Sequence, residues 1–206
     1  NFMIRAKTHL ASIYNYFSKN QIVELYGLGS SYVSTSEVQI SFVDRLAATI
    51  KEKSSKLVYA TFFGVPKSAL QNLDFYGVEL YSSQPEQFFG KYPSETEAIG
   101  YNNIMIADAV YPTYLGGTNG YANKYSFEGQ AKFFERVIDF QKSNKLAGFI
   151  AASAFDFNGD FNSLYSGYNK EKLYNIGLLG KDRSIGRLSA KVFKSKLKDG
   201  EKVTIP

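Results

Sequence analysis

The sequence predicts an α/β fold built on a parallel sheet, and three observations carry that prediction. Helix-period segments and short continuous apolar segments alternate along the chain, the strand-like segments are apolar throughout rather than at every second position, and no internal repeat or low-complexity run interrupts them. A strand that is apolar on both faces must be buried on both, which a parallel sheet covered by helices provides. The 206 residues are 44% apolar and 21% charged, enough to bury a substantial core in one domain.

Residues 1–18 read as an amphipathic helix, with Phe2, Ile4, Leu10, Ile13, Tyr14 and Phe17 at helical spacing. Residues 21–28 read as a strand, and 36–53 as a helix with Val38, Phe42, Leu46, Ala47 and Ile50 on one face. A second strand is expected over 57–63, at most a short helix over 69–73, and a third strand over 75–81. Residues 95–101 give a helix and 103–110 a fourth strand. Gly116-Gly117-Thr118-Asn119-Gly120 marks a long loop, followed by a helix over 127–143, a fifth strand over 146–155 and a last helix over 183–197.

That alternation fits an open doubly wound sheet or a (β/α)8 barrel. Five strands are fewer than the eight of a closed barrel, so the barrel reading makes residues 1–206 a single, partial domain, the C-terminal portion of a barrel from a larger protein. The first residues agree, since they lie inside an amphipathic pattern without an initiator Met or a signal peptide.

Composition narrows the function classes. The formal charge of +5 comes largely from Lys181, Arg183, Arg187, Lys191, Lys194, Lys196, Lys198 and Lys202, a run that reads as a solvated helix face. It contains Phe193 as its only aromatic, unlike the interleaved basic and aromatic surface of a nucleic-acid binder, so no nucleic-acid partner is expected. With no Cys, disulfides and thiolate metal sites are excluded, and the compartment stays open with a lean toward an extracytoplasmic one. The longest apolar run, 146–155, is far short of the roughly 20 residues of a membrane helix, so no membrane insertion by this segment is expected.

Three local motifs are weak. Gly27-Leu28-Gly29-Ser30-Ser31 before a helix has the small residues of a phosphate-cradling turn, but Tyr32 occupies the third glycine position and no Lys-Ser/Thr pair follows. Asp156-Phe157-Asn158-Gly159-Asp160-Phe161-Asn162 alternates oxygen side chains like a calcium loop, yet its Gly comes two places early and the twelfth position is Gly167. His9 has no partner motif in the sequence. No metal site, cofactor or nucleophilic triad follows from these residues.

The order of several motifs is more specific. Asp74-Phe75-Tyr76-Gly77-Val78-Glu79-Leu80-Tyr81 resembles the sixth-strand signature of glycoside hydrolase family 2 and its relatives: Asp, two residues, Gly, then a strand ending in Tyr. Gln130-Ala131 resembles the start of the family's seventh helix, Leu146-Ala147-Gly148-Phe149-Ile150 its eighth strand, and Phe155-Asp156 that strand's Asp-containing end. Asn175-Ile176-Gly177-Leu178-Leu179 with Asp182-Arg183 is similar to the segment before its closing helix. The resemblance runs over about 10–197 and implies a (β/α)8 TIM-barrel-like fold.

It also implies a retaining glycosidase site, with two carboxylates about 5 Å apart at the C-terminal strand ends. Here the family's Asn and its acid/base Glu fall on Ser30 and Ser31, and a serine hydroxyl cannot cycle a proton at neutral pH. The nucleophile's place falls on Asp108, one methylene shorter than Glu. Tyr81 matches the Tyr that hydrogen-bonds the nucleophile, Glu79 replaces an Asn, and Ala151 stands where an aromatic floors the sugar site. Glu79 and Asp108 could form a relocated acid and nucleophile pair, or serve as a polar rim residue and a loop anchor.

The chain has 16 Tyr and 17 Phe but no Trp, and Tyr111, Tyr114, Tyr121, Tyr125, Tyr165 and Tyr168 fall in expected rim loops. Such rings suit the CH faces of sugars, and equally suit packing under long loops. The substrate-binding expectation therefore rests on Ser30, Ser31, Tyr81, Asp156, Tyr111 and Tyr114, and the catalytic one on Asp108 and Glu79. The function expected is a glycoside-hydrolase-like, degenerate module that binds carbohydrate or serves structure. Its alternative is an active retaining glycosidase with Asp108 as nucleophile. The two sheet edges of a partial barrel call for upstream strands or a second copy as partner.

Overall fold

The computed structural model describes residues 2–17, 25–33, 36–113, 126–156, 176–179 and 187–197. Its helices are α1 (Phe2–Phe17), α2 (Glu37–Lys51), α3 (Pro85–Phe89), α4 (Pro93–Ile99), α5 (Phe127–Asn144) and α6 (Leu188–Leu197). Its strands are β1 (Leu25–Val33), β2 (Leu57–Phe62), β3 (Phe75–Tyr81), β4 (Ile104–Val110) and β5 (Gly148–Ala151). They form one five-stranded parallel sheet in the order β1-β2-β3-β4-β5. A doubly wound sheet reverses its strand order at a switch point, whereas consecutive barrel units never do. The sequential order therefore gives a partial (β/α)8-barrel-like fold.

The described residues fall into two compact units: Asn1–Glu79 with Lys91–Ala107 and Lys145–Gly148, and Leu80–Gly90 with Asp108–Asn144 and Phe149–Pro206. In the first, α2 buries Val43, Leu46, Ala47 and Ile50, and β2 buries Val58, Ala60 and Phe62. The β2–β3 register pairs Tyr59 with Phe75 and Thr61 with Gly77. A Cβ on Gly77 would lie 2.7 Å from the Ala107 Cβ and 3.1 Å from the Ala60 carbonyl, so the strands on either side approach too closely for any side chain there. Asp74, just before β3, accepts the Val58 N–H at 2.7 Å and pairs with Lys51, tying the strand's start to β2 and α2.

In the second unit, α5 and α6 pack through Ala131, Ile138 and Val192, with Phe149, Leu188 and Phe193 against them. Phe193 meets Phe134 and Phe149 edge to face at 5.1 and 5.5 Å. Helix α5 begins where it does because Ser126 Oγ accepts the Gly129 N–H at 2.9 Å, satisfying an otherwise orphaned donor of the first turn. Lys196 on α6 closes the exposed side by pairing with Asp139 on α5 at 2.7 Å.

The structure corrects the 69–73 helix and the extent of two strands. Residues 69–73 form no helix, because their backbone groups are taken by side chains: the Tyr76 hydroxyl accepts from the Leu70 N–H and donates to its carbonyl at 3.2 Å, and Asp44 accepts the Asn72 N–H at 3.0 Å. The strand expected over 21–28 runs on to Val33, with a register irregularity against β2 between Leu28 and Val33, so the weak turn motif over Gly27 to Ser31 lies in strand. The fifth strand ends at Ala151, and 153–156 turns instead to pair with 176–179 through the Phe155–Leu179 bridge. Helix α3 was not expected; Pro85 at its first turn is the signal that could have found it.

Candidate functional site

The C-terminal ends of parallel strands are where a barrel or open sheet receives its ligand, because the strand-to-helix loops gather there. Ser30 and Ser31 lie within β1, near its C-terminal end, and their side chains fall outside the described residues. Glu79 is on β3, half-buried and engaged in contacts of its own. Both belong to the first unit. Asp108, Tyr81, Tyr111 and Asp156 belong to the second. Tyr114 lies outside the described residues, as do Tyr121, Tyr125, Tyr165, Tyr168 and most of the calcium-like stretch after Asp156.

Asp108 stands two residues before the end of β4, in a strand whose Ile104, Met105, Ile106, Ala109 and Val110 are buried. Among the described residues, no hydrogen bond or ion pair reaches its carboxylate. Burial pushes its carboxyl above the usual carboxylate range, since among the described residues no donor compensates the charge for lost water. The strand is tied to its neighbours on either side of this point: the Ser82 N–H donates to the Val110 carbonyl at 2.8 Å, and the Ala152 N–H to the Ala109 carbonyl at 3.1 Å. Ser82 takes up the turn after β3 with φ of 50°, in the left-handed region, and leaves Tyr81 41% exposed.

Asp156 has a different setting. Its side chain is buried, and its oxygens are committed to the Gly177 N–H at 3.0 Å and to both terminal nitrogens of Arg187, one of them at 3.0 Å. Arg187 also donates to the Gly177 carbonyl at 2.8 Å, and its guanidinium lies 4.7 Å from the centre of the Phe127 ring. The fully buried Gln130 continues the network, donating to the carbonyls of Tyr111 at 2.9 Å and Gly177 at 3.2 Å while accepting from Ser189 Oγ at 2.8 Å. This lattice joins the exit of β4, the start of α5, the stretch after β5 and the start of α6. Its chemistry is that of a satisfied buried polar network, which fixes geometry.

Sequence reasoning did not single out Arg187, Gln130 or Ser189 as partners, because they pair across 31, 19 and 59 residues. Among the described residues, no three His, Cys, Asp or Glu side chains gather to hold a metal, and no helix is long and apolar enough to cross a membrane. His9 is exposed on α1.

No protein-family model matches the sequence, and no curated protein matches it. Solved structures do match its fold. A GH2 β-galacturonidase from Eisenbergiella tayi, solved bound to galacturonate, aligns with a TM-score of 0.76 at 12% identity over 98% of this chain and 38% of its own. The Ruminococcus gnavus β-glucuronidase aligns at 0.74 with 15% identity, and the Dictyoglomus thermophilum β-D-glucuronidase at 0.73 with 9%. This chain spans only 35% and 36% of those two. The chain thus carries the fold of a partial glycoside hydrolase family 2 barrel.

Proposed function

We propose that this domain is a glycoside-hydrolase-like barrel module that binds carbohydrate without hydrolysing it. The observation that carries the reading is the state of Asp108, the carboxylate at the nucleophile's strand position. A glycosidase nucleophile must be ionised and held against the anomeric carbon. Burial raises the Asp108 carboxyl above its ordinary range and so disfavours the ionised form, and among the described residues no donor counters that. The place of the acid/base carboxylate falls on Ser30 and Ser31, whose hydroxyls cannot carry a proton between leaving group and water.

The proteins that share the fold act on glucuronides and galacturonides by name, which supports a saccharide, uronic acids included, as the ligand class. Because the chain spans little more than a third of their length, we assign the completion of the sheet at β1 and β5 to further strands from upstream sequence or from a second copy. Sedimentation checks the second copy: a concentration-dependent dimer supports it, and a strict monomer removes it.

Titration calorimetry with methyl glycosides, run beside an assay of aryl glycoside release, tests the function. Binding without release is expected. Release that disappears in Asp108→Ala would overturn the reading in favour of an active retaining glycosidase with Asp108 as nucleophile, because aryl leaving groups need no general acid.

A further inference from the structure

We draw no further inference here: the strongest candidate, the exposed apolar patch of Ile13, Tyr16 and Phe17 along the C-terminal half of α1, carries nothing because nothing in the structure shows what covers it.

Discussion

Replacing Arg187 with Met removes one partner of a buried ion pair and leaves the other in place. The Asp156 side chain is 3% exposed and that of Arg187 11%, so neither charge is relieved by water. Among the described residues, Asp156 in the variant keeps the Gly177 N–H, and the Gly177 carbonyl keeps Gln130. An unpaired buried charge costs about 3–5 kcal/mol, whatever the net value of the intact pair. For a chain of this size, each kcal/mol lowers the melting temperature by roughly 2–4 °C, so a loss of roughly 6–20 °C is expected. Urea unfolding of Arg187→Met, Asp156→Asn and the double variant closes a double-mutant cycle, and the double variant should be less damaged than the two single losses combined. The penalty should hold from low to high salt, because the pair is out of reach of screening. A loss below about 1 kcal/mol, or one erased by salt, would give the pair the weight of a surface salt bridge and refute the reasoning.

Asp108→Asn should raise the melting temperature at neutral pH, since it removes a half-buried charge that has no partner among the described residues. Its folded-state carboxyl binds the proton more tightly than the ordinary value of 3.8 allows, so ionised Asp108 destabilises the fold above its raised value and the advantage of Asn fades as pH falls through 3.8. A pH series of melting curves with no such convergence would contradict that sign. Gly177→Ala forces a Cβ to 2.2 Å from two backbone atoms, and overpacking of that kind should cost about 1–3 kcal/mol or more in urea unfolding. Gln130→Leu takes the Gln130 amide donor from the Tyr111 carbonyl and one acceptor from Ser189, for about 1–3 kcal/mol, and should speed amide exchange around 109–113 while leaving α2 untouched.

The central strands were legible in the sequence because residues on both faces are buried: Val58, Ala60, Phe62, Ile104 and Ile106 on one face of their strands, and Thr61, Met105 and Ala109 on the other. What failed depended on partners distant in the chain. The 69–73 helix lost to Tyr76 and Asp44, whose side chains captured its backbone groups. The run 146–155 looks uniformly apolar, yet it leaves the sheet at Ala151 because Gly177 and Leu179 arrive beside it, and Phe155 ends outside. Position in the motif order drew attention to Asp108 and Asp156, two carboxylates that sequence alone cannot tell apart. Among the described residues, the Arg187 guanidinium, 31 residues beyond Asp156, separates a committed carboxylate from one without a partner.

The central claim is that Asp108 no longer serves as a glycosyl acceptor, and covalent trapping tests it most directly. Activated 2-deoxy-2-fluoro glycosides with dinitrophenolate leaving groups need no general acid and accumulate on any competent carboxylate nucleophile. Intact-mass measurement after prolonged incubation with the gluco, galacto and glucuronic forms should show the protein unmodified. A stoichiometric glycosyl adduct that maps to Asp108 and is absent from Asp108→Ala would contradict the account.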